Sequence, residues 1–121
     1  MMNIRRVLII DNEQTVLDVL EAILKLLGYD AVKAHSGEES LIIFKKEKVD
    51  AVITDIVMAD FHGISVLKEI KREAPYLPVF VMTGYGAELA DEAMKAGAQG
   101  TLLKPFTVSQ VKALIESIEK G

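Results

Sequence analysis

Three short apolar runs interrupt the chain, Val7 to Ile10, Ala51 to Thr54 and Val79 to Met82, and each gives way at once to polar or glycine-containing residues. Runs this short, apolar at consecutive positions and rich in β-branched side chains, predict strands buried on both faces, as in a parallel sheet. Two weaker runs, Ala31 to His35 and Thr101 to Leu103, fall where further strands belong if strands alternate with helices.

Between these runs the period changes. Val16, Val19, Leu20, Ile23, Leu24 and Leu27 recur at three- and four-residue steps, which predicts one apolar face of a helix that Gly28 ends. Ser36 with Glu39, and Thr107 with Gln110, have capping-box spacing. The first opens a helix carrying Leu41 and Phe44 as far as about Lys46, and the second opens a last helix with Val111, Leu114, Ile115 and Ile118 facing inward. Two further helices are predicted over about Ile64 to Ala74 (Ile64, Leu67, Ile70) and about Ala87 to Ala96 (Leu89, Ala93, Met94). Five strands alternating with five helices predict a doubly wound α/β architecture, a mostly parallel sheet covered on both faces through right-handed crossovers.

Composition narrows the functional classes. A length of 121 residues suits one domain over residues 1–121, and half apolar with 26% charged residues is an ordinary globular balance. A formal charge of −4 argues against direct nucleic-acid binding, which needs clustered Lys and Arg. With no cysteine there is no disulfide, thiolate metal site or Cys nucleophile, and the cytoplasm is the expected compartment. The first apolar run stops at Asp11, too soon for a signal-peptide core or a membrane span.

In doubly wound sheets, ligands bind beyond the carboxyl ends of the strands, so the residues just after each apolar run carry the chemistry. Here they are Asp11, Asn12 and Glu13, then Asp55, then Thr83 and Gly84, then Lys104 and Pro105. Two carboxylates about 5 Å apart repel by roughly 3 kcal/mol at an effective dielectric near 20, so their convergence calls for a cation. Oxygen donors in a hydrated site suit Mg²⁺, with Mn²⁺ as a substitute, and Mg²⁺ commonly shares its coordination with phosphate oxygens. A carboxylate becomes a competent nucleophile in phosphoryl transfer once cations neutralise the transferred oxygens. Asp55 is the best placed nucleophile, with the Lys104 ammonium and the Thr83 hydroxyl as partners for phosphoryl oxygens. His35 and His62 lack metal-ligand spacing, Asp60 reads as a turn residue, Lys45, Lys46 and Lys48 read as helix-end charges, and Phe44, Phe80 and Met82 read as core.

Taken in order, the acidic pocket at Asp11, the stretch Asp55-Ile56-Val57-Met58 with Gly63 beyond it, Thr83-Gly84, Ala96-Gly97-Ala98 and Lys104-Pro105-Phe106 resemble the response-regulator receiver family of two-component signalling over essentially the whole chain. The resemblance implies a flavodoxin-like five-stranded sheet of order 2-1-3-4-5 with five helices. It implies Asp55 as phosphoacceptor, Asp11, Asn12, Asp55 and the Val57 carbonyl as the Mg²⁺ pocket, Thr83 and Lys104 as phosphoryl contacts, and a cis Lys104–Pro105 peptide. A sensor histidine kinase or phosphorelay protein would be the donor, and a downstream effector protein or fused output domain the recipient of the signal. The chain departs from the family pattern at Asn12, where a second acid is usual, at Ala59 in place of proline, and at Thr101 in place of an aromatic residue. Asn12 predicts weaker metal binding, and Thr101 predicts that the loop from Thr83 to Ala87, with Tyr85, carries more of the conformational change.

Two rival functions follow from the same residues. An aspartyl-phosphate hydrolase needs a general acid two residues after the nucleophile, and Val57 occupies that position, so the chain is expected to catalyse only its own phosphorylation and dephosphorylation. A phosphorylation-independent interaction module with a weakened metal site is the other, with Asn12 as its main support.

Overall fold

A computed structural model describes residues 3–56, 63–84 and 87–119. Elements alternate strictly along the chain: β1 (Arg6–Ile10), α1 (Gln14–Leu26), β2 (Asp30–Ala34), α2 (Gly37–Lys46), β3 (Ala51–Asp55), α3 (Gly63–Glu73), β4 (Val79–Thr83), α4 (Ala87–Lys95), β5 (Gly100–Leu103) and α5 (Val108–Glu119). The strands form one parallel sheet in the order β2-β1-β3-β4-β5. This is the predicted doubly wound, flavodoxin-like architecture.

Strand alternation divides the core into two layers. Val7, Ile9, Ile53, Phe80 and Met82 point to one face and pack with Leu17, Leu20 and Leu24 of α1 and Val111 and Ile115 of α5. Leu8, Ile10, Val52, Val79 and Val81 point to the other and pack with Val66, Leu67 and Ile70 of α3, Ala93 of α4, and Leu41 and Phe44 of α2. The central strands β3 and β4 are buried at every position, which is why they read as unbroken apolar runs, whereas the edge strands β2 and β5 are partly exposed.

Two helix faces differ from the periodicity reading. On α1 the buried stripe runs through Leu17, Leu20, Ile23 and Leu24, while Val19 is 53% exposed. On α4 Ala93 is buried and Met94 is exposed. Both misplaced residues flank the stripe by one 100° step, where the sequence offers an apolar side chain but the sheet offers no partner.

The ends of the helices follow local chemistry. Gly28 and Gly97, at φ +95 and +110, close α1 and α4 in the same way. Gly28 N–H donates to Lys25 O and Tyr29 N–H to Leu24 O, and Gly97 N–H donates to Met94 O and Ala98 N–H to Ala93 O. This pairing is the Schellman arrangement, which a Cβ at the left-handed position would strain. At α5 the capping box is complete: Gln110 N–H donates to Thr107 Oγ1 (3.2 Å) and Thr107 N–H to Gln110 Oε1 (2.9 Å). At α2 only half forms. Glu39 N–H donates to Ser36 Oγ, but the Glu39 carboxylate accepts from His35 N–H instead of from Ser36.

Candidate functional site

Register alone assembles the rim of the site. Ile10 lies opposite Thr54, so the next residues, Asp11 and Asp55, leave adjacent strands side by side; Asp55 in turn lies opposite Met82, which sets Thr83 one step beyond. Thr83 pairs with Leu103, and Lys104 N–H donates to Thr83 O at 2.9 Å, so β5 holds to β4 up to the lysine. Four strands thus deliver Asp11, Asp55, Thr83 and Lys104 to one end of the sheet. The Lys104–Pro105 peptide is cis, as the resemblance implies.

Burial sets these residues apart from ordinary surface charges. Asp11 is fully buried, Asp55 is 8% exposed and Thr83 is 7% exposed. Lys104 Nζ donates to Asp11 Oδ2 at 2.7 Å and lies 3.4 Å from Asp55 Oδ2. The ammonium therefore sits between the two carboxylates and supplies part of the cation their convergence requires. Burial works against the charged form of Lys104, but the Asp11 hydrogen bond and the charges of Asp55 and Asp11 outweigh it and hold its pKa above the ordinary lysine value. The second Asp11 oxygen, Oδ1, accepts from Glu13 N–H at 2.9 Å. Asp11 thereby fixes the turn into α1 while holding the lysine.

A cleft of about 390 Å³ opens over this cluster, lined by Glu13, Asp55, Ile56, Thr83, Gly84, Leu89 and Lys104. Gly63 packs against the backbone of Asp55 and Ile56. Its N–H donates to Ile56 O at 2.7 Å, and a Cβ there would fall 1.8 Å from Asp55 O and 2.6 Å from Ile56 Cα. The helix α3 can start against the Asp55–Ile56 backbone only because position 63 has no side chain.

Among the predicted site residues, Asp11, Asp55, Thr83 and Lys104 come together, while Asn12 is exposed and is not among the cleft-lining residues. Val57, Met58, Ala59, Asp60, His62 and Tyr85 lie outside the described residues. Thr101 is exposed on β5, opposite Val81. His35 is exposed, with its ring nitrogens at Gln14 Oε1 and Glu39 Oε1. Sequence reasoning did not assign roles to Glu13 or Leu89, which line the cleft; Glu13 was visible as the third polar residue after β1, whereas Leu89 carried only a helix-periodicity signal.

The donor set tests the implied metal. The oxygen-bearing side chains at the cleft, the Asp55 carboxylate with Glu13 and Thr83 beside it, fit a hard cation of the Mg²⁺ or Mn²⁺ kind. Among the described residues, no three His, Cys, Asp or Glu side chains form a metal cage.

Comparison with known proteins gives the same picture. The response regulator receiver domain profile matches residues 7–116. The chain is 37% identical over 111 residues to the transcriptional regulatory protein ZraR of Escherichia coli K12, covering 91% of this chain and 25% of that protein. It is 33% identical over 115 residues to the probable transcriptional regulator ycf27 of Porphyra purpurea, covering 93% of this chain and 46% of that protein. The chain therefore spans between a quarter and a half of these curated relatives. Among solved structures, a response regulator receiver domain protein from Clostridium thermocellum superposes with a TM-score of 0.89 at 35% identity, covering 93% of this chain and 92% of that one. Sheet order, strand-end residues and sequence profile agree: the chain belongs to the response regulator receiver domain family of two-component systems.

Proposed function

We propose that residues 1–121 act as a phosphorylation switch in which Asp55 accepts a phosphoryl group from a sensor histidine kinase or phosphorelay protein. The observation that carries this reading is the Lys104 ammonium held 2.7 Å from Asp11 and 3.4 Å from Asp55 at the floor of an open cleft. A buried nucleophilic carboxylate with a fixed cation beside it is arranged for charge stabilisation at the moment of transfer. An Asp55 carboxylate oxygen forms the new O–P bond as the P–N bond of a donor phosphohistidine breaks, and the electron pair of that bond returns to the imidazole. Lys104 then pairs with a phosphoryl oxygen in place of the Asp55 oxygen, and the Thr83 hydroxyl donates to another. Asp11, Asp55, Asn12 and the Val57 carbonyl would hold Mg²⁺, which would supply further positive charge at the site. The chain modifies only itself and turns over no metabolite. Its altered surface engages an effector protein or a fused output domain.

Intact-mass measurement after incubation with acetyl phosphate and Mg²⁺ tests this. The chain should gain the mass of one phosphoryl group, and Asp55→Asn and EDTA-treated samples should gain none. Full labelling of Asp55→Asn would refute the assignment. The exposed Asn12, which removes a charge from the metal pocket, favours a second reading as a phosphorylation-independent interaction module, and absence of any adduct in the unaltered chain would select it.

A further inference from the structure

We propose that Glu13 is a metal-positioning residue that supplies, through a metal-bound water, the negative charge that Asn12 does not. The inference rests on the Mg²⁺-dependent reading above and concerns a residue that reading leaves without a role.

Glu13 stands at the N-cap of α1 with extended backbone (φ −99, ψ 116), and its side chain makes no capping hydrogen bond. Its backbone is held in place, because its N–H donates to Asp11 Oδ1 and its carbonyl accepts from Leu17 N–H. Glu13 is among the residues that line the cleft with Asp55, Thr83 and Lys104. Asp11 thus anchors Glu13 at the mouth of the site.

Charge balance gives this placement its meaning. Asp11 and Asp55 carry two negative charges and Lys104 one positive, a net charge of −1 at the floor of the cleft. A divalent cation turns that into +1, and the Glu13 carboxylate brings it to neutrality. In this proposal Glu13 acts beyond direct coordination, accepting a hydrogen bond from a water on the ion. Mg²⁺ retains such waters in protein sites. A competing explanation is that Glu13 only offsets the positive end of the α1 dipole. That role would alter stability without metal and leave Mg²⁺ affinity unchanged.

The test titrates the unphosphorylated chain with MgCl₂ alone, by calorimetry and by melting temperature, in the unaltered chain, Glu13→Gln, Asn12→Asp, the double variant, and Glu73→Gln. Glu73 ends α3 at the opposite end of the strands from the cleft and controls for overall charge. Glu13→Gln should weaken Mg²⁺ binding about fivefold, the factor expected for roughly 1 kcal/mol of charge interaction through water, with unchanged melting in EDTA. Glu73→Gln should bind as the unaltered chain does. Asn12→Asp should restore affinity in the Glu13→Gln background. An affinity change below about twofold in Glu13→Gln, with the unaltered chain binding normally, would overturn this inference alone. Failure of the unaltered chain to bind Mg²⁺ would overturn it together with the metal-dependent reading.

Discussion

Replacing Lys104 with methionine isolates the electrostatics of the site, because methionine keeps the apolar stem and removes only the ammonium. Nζ lies 2.7 Å from Asp11 Oδ2 and 3.4 Å from Asp55 Oδ2, so the two carboxylate oxygens are at most about 6 Å apart. At that separation two like charges repel by about 3 kcal/mol at an effective dielectric near 20, a repulsion the lysine now offsets. Removing one partner from a buried ion pair commonly costs about 3–5 kcal/mol, in line with this figure. For a chain of this length the loss lowers the melting temperature on the order of 10 °C. Urea unfolding in EDTA at neutral pH should show it directly. Two further arms separate charge from packing: Asp11→Asn added to Lys104→Met should recover most of the loss, and saturating Mg²⁺ should stabilise Lys104→Met more than the unaltered chain. A loss under about 1 kcal/mol in EDTA, or no recovery on adding Asp11→Asn, would refute the claim that Lys104 compensates the two carboxylates.

Two other substitutions probe separate parts of the structure. Gly63→Ala should cost at least about 3 kcal/mol and impair phosphoryl acceptance, since its Cβ would meet the Asp55 carbonyl oxygen at 1.8 Å and backbone cannot swing away as a side chain can; near-normal stability by urea unfolding would contradict the close approach. Tyr29 Oη donates to Glu119 Oε1 at 2.9 Å, and burial, followed by the hydrogen bond and charge of Glu119, pushes its pKa up to about 12. The native state thus favours the protonated phenol, whose contribution is full below the unfolded value near 10 and is lost as pH rises through about 12. With allowance for solvent screening of this partly exposed group, the unaltered chain should lose about 1 kcal/mol more than Tyr29→Phe between those limits, and parallel pH profiles would refute the coupling.

How far the sequence alone reached depends on burial. β1, β3 and β4 were legible because strands covered on both faces must be apolar at every position, and the helix boundaries at Ser36, Thr107, Gly28 and Gly97 were legible because caps are local. Val19 and Met94 were misplaced because periodicity locates a stripe but not its width, which the opposing layer sets. At the site, Asp11, Asp55, Thr83 and Lys104 could be named from their strand-end positions once the sheet was assumed parallel. The sequence called for a cation between the acids but did not identify Lys104 as one already there, because that depends on a contact across 93 residues. Gly63 was visible as part of a pattern, yet its physical reason, the backbone of Asp55 and Ile56 pressed against it, exists only in the folded chain. The place of Glu13 beside the cleft was hidden for the same reason, since an exposed acid before a helix is ordinary until the cleft is known.

The central claim is that Asp55, and no other carboxylate, carries the phosphoryl group. Borohydride reduces an acyl phosphate to the alcohol, converting a phosphorylated aspartate to homoserine and leaving free carboxylates unchanged. The chain would be incubated with acetyl phosphate and Mg²⁺, reduced, digested with trypsin and sequenced by tandem mass spectrometry. Residues 49–68 form one tryptic fragment that contains Asp50, Asp55 and Asp60, so the three positions are compared within a single peptide. The account predicts homoserine at position 55 alone, absent when EDTA replaces Mg²⁺. Homoserine at Asp11, Asp50 or Asp60 with an unmodified Asp55 would contradict it.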